Sequence, residues 1–464
     1  MFERFKRIHM IGIGGSGMSG IAEVLHNMGY EVTGSDLKES ETVTRLKQLG
    51  IKVHIGHREE NIQDAQVVVI SSAVREDNPE VVTARMRGIP VIPRAEMLAE
   101  IGRLKYSILV AGAHGKTTTT SLIAQILQAA GYDPTVVVGG RLKATGSGAK
   151  MGTGEFFVAE ADESDGSFLK LSPTIAVATN IDREHMNYFR TMDNLLRAFR
   201  EFLDKVPFYG VSVLCYEDLY LRQIMRDLTR RYITYGFSEE AFVRAYDIEH
   251  KEMSLTFNVA VGTKDYGRFV LPMIGRHNVL NALAAITVGD VLGVEPNAIR
   301  EALEGFSGVQ RRFEFKGQRD GFKVYDDYGH HPTEIKAVLR AMKEAISEGH
   351  TQGRVVVIFQ PHRWTRTYDL FGDFCSAFDD ADILFLLDIY PAGEEPIMGV
   401  SAENLATAIA GRGKEVYYIP DRTQGLSPQD VASYVMKHLK EADVVLTLGA
   451  GDVYKVAEAM VEPV

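Results

Sequence analysis

Cysteine is almost missing from this chain: two in 464 residues, Cys215 and Cys375, far apart in sequence. That excludes a disulfide framework, and both read as core residues of a protein kept in a reducing compartment. No run of about 18 apolar residues occurs, which excludes a transmembrane helix. An excess of basic charge is also lacking. Lys and Arg number 51 against 62 Asp and Glu, a net charge of −11 that argues against a nucleic-acid partner. The opening Met1-Phe-Glu-Arg-Phe-Lys-Arg7 has neither the apolar core nor the cleavage site of a signal peptide. There is no internal repeat and no low-complexity linker. What remains is ordinary for a soluble globular chain, with 45% hydrophobic and 24% charged residues. The length exceeds one core and suggests about three domains. A cytoplasmic multidomain enzyme that engages neither membrane nor nucleic acid is expected, either monomer or homodimer.

The most informative stretch is Gly112-Ala-His-Gly-Lys-Thr-Thr118. The apolar run Tyr106–Val110 precedes it, and the helical pattern Ser121–Ala130 follows, with Gly131 just past its end. Strand, glycine turn and helix in this order cradle a polyphosphate. Backbone N–H groups and the helix N-terminus face the anion, Lys116 reaches the terminal phosphates, and the Thr117 hydroxyl is placed to ligate Mg²⁺. The spacing is shorter than the standard P-loop, because Val110 stands where its first glycine belongs. An ordinary helix start with a surface lysine is the competing reading. Threonines at 117–120 weigh against it, since β-branched residues suit a helix start poorly unless their hydroxyls are used.

Residues 7–100 alternate strands (Arg7–Ile13, Glu31–Asp36, Gln66–Ser72) with helical stretches such as Met18–Met28. That rhythm predicts a parallel sheet with right-handed crossovers. A middle segment, 105–310, carries strands at Phe156–Ala159 and Ile175–Thr179 and a helix at His277–Leu292. A third segment, 311–464, reads as another α/β unit, with strands at Lys323–Tyr325, Arg354–Phe359, Ile383–Leu387, Val416–Ile419 and Val444–Thr447.

Gly12-Ile-Gly-Gly-Ser-Gly17 follows the first strand, and Ser35-Asp36 lies about 20 residues on, where a ribose-binding acid is expected. Alone, this turn fits a nicotinamide dinucleotide as well as the diphosphate of a UDP-sugar. The second phosphate loop at Gly112–Thr118 tips the balance, because hydride transfer has no need of it. Gly12, Gly14, Gly15, Gly17, Ser35, Asp36 and Ser71 are the candidate contacts to a UDP moiety.

Four carboxylates crowd Glu160-Ala-Asp-Glu-Ser-Asp165 at the end of a strand. Strand alternation puts Glu160 and Asp162 on one face, where they repel unless a cation lies near them. Beside a phosphate loop that cation is Mg²⁺, or Mn²⁺ in its place, although a solvated acidic loop has the same composition. Thr179-Asn-Ile-Asp-Arg-Glu-His185 similarly ends a strand. Its histidine either serves a second metal or satisfies a buried hydrogen bond. In the third segment, Asp326-Asp-Tyr-Gly-His-His-Pro-Thr-Glu334 ends a strand, with Pro332 placed for the first turn of a helix. Adjacent histidines point to opposite faces of a strand, so His330 and His331 suit separate anion contacts better than one metal. Gln360-Pro-His-Arg-Trp-Thr-Arg-Thr367 offers Arg363 and Arg366 for carboxylate or phosphate oxygens. A surface turn with incidental arginines is the bland alternative. Core packing is the expected role of Trp364 and Tyr390.

Together with His277-Asn-Val-Leu-Asn281, these motifs resemble the Mur ligase family over essentially the whole chain. The resemblance implies three α/β domains. Residues 1–104 would form a Rossmann-like domain for the UDP substrate, 105–310 a P-loop ATPase-type domain, and 311–464 a Rossmann-like domain for the amino acid. It implies ATP-dependent ligation through an acyl phosphate, in peptidoglycan precursor synthesis. UDP-N-acetylmuramate is the implied carboxylate substrate, and the last two motifs imply L-alanine as the amino acid. A murein tripeptide is the alternative within the family and an NAD-dependent dehydrogenase the alternative outside it. Carried over by position, Gly112, Ala113, His114, Gly115, Lys116, Thr117 and Thr118 would hold ATP phosphates, with His277 and Asn281 near the adenine. Thr117, Glu160 and His185 would hold metal. Lys116, His185, His330, Arg363 and Arg366 would carry the chemistry. Four positions depart from the family pattern: Ala113 replaces a threonine, Glu184 and Asn187 replace aspartates beside His185, and Trp364 replaces a tyrosine.

Overall fold

The helix predicted after the phosphate loop forms, and it begins at Lys116 itself, running Lys116–Ala129. Its end shows why the sequence stops it there. Gly131 takes φ +79°, and its N–H and that of Tyr132 bond back to the carbonyls of Gln128 and Leu127. The computed structural model describes residues 5–71, 73–139 and 148–462, so Ser72, read above as part of a strand, lies outside the described residues.

Three sheets organise the described residues. The first is five parallel strands in the order Lys52–Ile55, Glu31–Asp36, Arg7–Ile11, Val67–Ile70 and Val91–Pro93. Its chain order reverses at Arg7–Ile11, and the glycine turn leaves the carboxyl end of that strand, where open α/β sheets place their ligands.

The second sheet has ten strands. Its centre runs Val211–Cys215, Ile175–Ala178, Tyr106–Ala111, Phe156–Glu160 and Thr135–Val137, all parallel. Here the reversal falls at Tyr106–Ala111. The phosphate loop therefore emerges between the carboxyl ends of the strands that lead into Glu160–Asp165 and Thr179–His185. The strands Tyr232–Gly236, Val243–Lys251, Ser254–Val261 and Lys264–Leu271 extend this sheet.

The third sheet runs Glu314–Arg319, Phe322–Asp327, Val444–Leu448, Val355–Phe359, Ile383–Leu387 and Glu415–Ile419, with only the first strand antiparallel. Its central strands Val444–Leu448, Val355–Phe359 and Ile383–Leu387 are near-continuous, fully buried apolar runs, as expected when helices cover both faces. Separate clusters pack on each side, one around Leu339, Phe359 and Phe374, the other around Phe385, Val435 and Met460. The chain divides into two compact units. One is Met1–Tyr246 with Asn258–Phe269 and Leu280–Ser307, and the other is Asp247–Phe257 with Val270–Val279 and Gly308–Val464.

Candidate active site

At the N-terminal turn, Gly12 adopts φ +76°, and its N–H and that of Ile13 bond to the Ser35 carbonyl at 2.8 and 3.1 Å. The Gly14 N–H donates to Asp36 Oδ2 at 2.8 Å. Asp36, read as a ribose-binding acid, thus braces the turn with one of its oxygens. Gly15 directly precedes the helix Ser16–Asn27. A Cβ on Gly12 would touch Ser71, and one on Gly17 would press on the Arg94 guanidinium. Arg94 was not singled out from the sequence; its NH2 lies 3.3 Å from Asp162 Oδ2. Ser35 itself is fully buried. Its hydroxyl donates to Glu80 at 2.6 Å and lies 3.0 Å from His57 Nδ1, so the expected UDP contact is spent inside the domain.

The Glu80 carboxylate that receives this hydroxyl is fully buried and also meets His9 Nε2 at 2.9 Å and Asn61 Nδ2 at 2.6 Å. Burial works against its charge, but the hydrogen bonds outweigh that and hold the carboxyl down at about 2.

The phosphate loop is shaped by two glycines and a neighbouring strand end. Gly112 takes φ +137° with no room for a side chain beside Thr179 and Asn180. Gly115, at φ +81°, begins the helix without a side-chain cap, leaving amides of the helix start for a ligand. Ala113 N–H donates to the Asn180 carbonyl, and His114 N–H to Asn180 Oδ1 at 2.9 Å. The His114 carbonyl accepts from Thr179 and Asn180, and its Nε2 lies 2.9 Å from Asp182 Oδ2. Thr117 and Thr118 are buried in the first turn. Asn281, expected near an adenine, packs on Gly115 and accepts from Thr119 Oγ1 at 3.2 Å. His277 stands in the first turn of the helix Arg276–Val291, its ring against Gly275, in the other compact unit.

Lys116 folds onto its own loop. Its Nζ donates to the Gly112 carbonyl at 2.5 Å and to Glu163 Oε1 and Oε2 at 2.9 and 3.1 Å. Burial opposes the ammonium charge, yet Glu163, Asp162 and Glu184 hold it firmly protonated. Burial drives Glu163 the other way, upward, in spite of the lysine. His185 is held in a left-handed conformation (φ +59°), with Nε2 3.9 Å from Glu163 Oε1 and 3.8 Å from Glu184 Oε2. Lys116, Glu163, Glu184 and His185 are therefore one cluster. Glu160 sits at the strand end, in register with Val110, and accepts from the Gly139 N–H at 2.8 Å. Alternation singled out Glu160 and Asp162 and missed Glu163. The strand ends at Glu160, and the turn that follows swings Glu163 inward.

In the second unit, Asp326 pairs with Arg311 Nε at 2.9 Å. Asp327 accepts from the N–H groups of Phe313 and Gly329, both at 2.7 Å; burial pushes its carboxyl up to about 6. His331 caps the helix Pro332–Ser347, with Pro332 in its first turn as predicted. His330 Nδ1 lies 3.1 Å from the Tyr328 carbonyl, and its ring is 6.0 Å from that of His362. Arg366 donates to His362 Nδ1 at 3.3 Å. Burial, with His330, Arg366, Arg363 and Arg311 around it, holds His362 neutral, its pKa down at about 3. Sequence reading passed over His362, whose signal was its place directly before Arg363 and four residues before Arg366. Arg363 is exposed and takes φ +71°. Trp364 packs on the apolar core as expected, whereas Tyr390 stacks flat on His362.

Residues 7–106 match the Mur ligase family catalytic domain, 110–289 the Mur ligase middle domain, and 311–451 the Mur ligase glutamate ligase domain. The UDP-N-acetylmuramate--L-alanine ligase of Desulfatibacillum aliphaticivorans is 52% identical over 460 residues, 99% of each chain. This chain is a Mur ligase. The Geotalea daltonii ligase of the same name is 52% identical over 463 residues, 100% of this chain and 99% of that one. Among solved structures, the UDP-N-acetylmuramate-alanine ligase MurC of Thermotoga maritima superposes with a TM-score of 0.83 at 30% identity, covering 98% of each chain. A murein peptide ligase from Psychrobacter arcticus shares the Mur ligase fold, with a TM-score of 0.71 at 23% identity. The three-domain α/β architecture expected from the resemblance is that of this family. No helix among the described residues is long and apolar enough to cross a membrane.

Proposed function

We propose that this Mur ligase joins L-alanine to the carboxylate of UDP-N-acetylmuramate with ATP, in peptidoglycan precursor synthesis in the cytoplasm. The observation that carries the reading is the loop between two acidic strand ends. Its helix-start amides and Lys116 lie at the carboxyl end of Tyr106–Ala111, beside Glu163 and His185. Residues 1–104 would take the UDP-sugar, 105–310 ATP, and 311–464 the amino acid.

The substrate carboxylate oxygen attacks the γ-phosphorus, the β–γ bridge breaks, and ADP leaves an acyl phosphate. The alanine nitrogen then attacks the acyl carbon, phosphate departs, the amide forms, and the nitrogen loses its proton. Lys116 would neutralise charge on the transferring phosphoryl group, and the helix N-terminus would hold the neighbouring phosphates. The donors near the loop are a hydroxyl, carboxylates and an imidazole, a set that fits Mg²⁺ or Mn²⁺. Thr117 and Glu160 would hold a first ion and His185 would serve a second, and their charge would offset that of the phosphates. His330, Arg363 and Arg366 would bind the carboxylate of L-alanine and the transferred phosphate, which suits their cationic and hydrogen-bonding groups.

ADP release with UDP-N-acetylmuramate and each amino acid tests the assignment. Efficient turnover is expected with L-alanine, weaker turnover with glycine and L-serine, and negligible turnover with the murein tripeptide. Discrimination against glycine is modest, because one methyl contributes about 1–3 kcal/mol. Turnover with the tripeptide but not with L-alanine overturns the assignment.

A further inference from the structure

Four strands of the third sheet deliver a linked set of side chains at their carboxyl ends. Gln360 and His362 follow Val355–Phe359, Tyr390 follows Ile383–Leu387, Arg422 follows Glu415–Ile419, and Asp452 follows Val444–Leu448. The Tyr390 ring lies on that of His362, 5.4 Å between centroids and 9° from parallel. The Arg422 guanidinium lies over the Tyr390 ring, 4.6 Å from its centroid. Arg422 is itself anchored. Its NH2 donates to Asp452 Oδ1 at 2.7 Å, and the buried Gln360 donates to the same oxygen at 3.0 Å.

The backbone repeats the clamp. Tyr390 N–H bonds to the Pro361 carbonyl, and the Tyr390 carbonyl accepts from Arg363 N–H, both at 2.8 Å. This second bond matters because Arg363 is strained, with φ +71° and ψ +141°, a region that only glycine enters cheaply. Such a conformation persists only where its surroundings over-determine it. Tyr390 supplies that on both sides of the arginine, through the backbone and through the ring under His362, whose Nδ1 accepts from Arg366.

We propose that Tyr390 is a positioning residue for the amino-acid substrate, holding His362, Arg363 and Arg366 in their binding arrangement, with Arg422 and Asp452 steadying its ring. This rests on the reading that Arg363 and Arg366 bind the amino acid. Tyr390 touches no reacting atom; it acts through its neighbours. The aromatic face, rather than the hydroxyl, carries the effect, because the contacts with His362 and Arg422 are both to the ring.

The test compares full-length Tyr390→Phe, Tyr390→Leu, Arg422→Gln and Arg363→Ala, measuring kcat, KM for L-alanine, KM for ATP and Tm. Tyr390→Leu is expected to raise KM for L-alanine about tenfold, with KM for ATP within about twofold, and Tyr390→Phe to restore it. Arg422→Gln, at a partly exposed side chain, is expected to raise the same constant about two- to threefold without lowering Tm. If Arg363→Ala raises KM for L-alanine and neither Tyr390→Leu nor Arg422→Gln does, the positioning role is wrong. A common fall in Tm and in every kinetic constant, unrelieved by phenylalanine, also overturns it. If Arg363→Ala leaves KM for L-alanine unchanged, the amino-acid site itself is misplaced and the proposal falls with it.

Discussion

Lys116 and Glu163 form a buried ion pair, Nζ 2.9 Å from Oε1, in the space where the loop would meet a nucleotide. An anionic phosphate competes with Glu163 for the same ammonium. Glu163→Gln removes the competitor and relieves repulsion. Metal-free ADP, measured by calorimetry in chelator, is expected to bind about tenfold more tightly, a change of about 1.4 kcal/mol. The variant leaves the buried ammonium less well compensated, so its Tm should fall without ligand. Unchanged or weaker ADP binding would show that Glu163 does not oppose the phosphates.

Lys116→Ala tests the other partner. With the charge at the phosphoryl group gone, kcat should drop by at least ~10³, while binding of UDP-N-acetylmuramate changes little. Near-normal turnover would disprove the phosphate-loop assignment. Glu160→Gln should leave more activity and raise the Mg²⁺ concentration needed for half of it. Glu160 is proposed to hold metal rather than to contact the lysine, and it accepts from Gly139 in this structure.

Much of this was legible from residue order, because local chemistry dictates it. The lysine loop had to follow a strand and open a helix, and the helix runs from Lys116 to Ala129 with Gly131 stopping it. Pro332 marked the start of the helix that His331 caps. What escaped were residues placed by turns or by distant chain segments. Glu163 leaves the strand pattern after Glu160, and Arg94 reaches Asp162 across 68 residues. The Tyr390 stack on His362 joins two strand ends that no sequence period relates. Ser35 shows the converse: its position near a strand end, about 20 residues beyond the glycine turn, suggested a ligand contact, and only the fold reveals Glu80 beside its hydroxyl.

The N-terminal glycine turn gives a ligand test. Gly12 sits at φ +76° with an added Cβ only 3.2 Å from that of Ser71, so Gly12→Ala is strained and crowds the turn. UDP-N-acetylmuramate is expected to raise the Tm of the wild-type protein, and NAD or NADP to leave it unchanged at equal concentration. Gly12→Ala should diminish the UDP-sugar shift. A shift with NAD alone would reassign the turn to a dinucleotide.

Acid stability of the N-terminal domain should follow the Glu80 network. Glu80 is fully buried, and its hydrogen bonds lower its pKa from 4.5 to about 2. A carboxyl whose folded pKa is depressed binds fewer protons folded than unfolded across that interval. Its stabilisation is therefore fully present above about 4.5 and is lost as the pH falls toward about 2. A shift of that size corresponds to about 3 kcal/mol at neutral pH. Glu80→Gln keeps the shape but cannot accept from His9, Ser35 and Asn61 as a carboxylate does. Its Tm should lie well below wild type at pH 7, and the gap should narrow through the same acid window. Circular dichroism melts between pH 7 and pH 2.5 measure this. A gap that stays constant across the range would mean that Glu80 stabilises the domain by shape alone, without its charge.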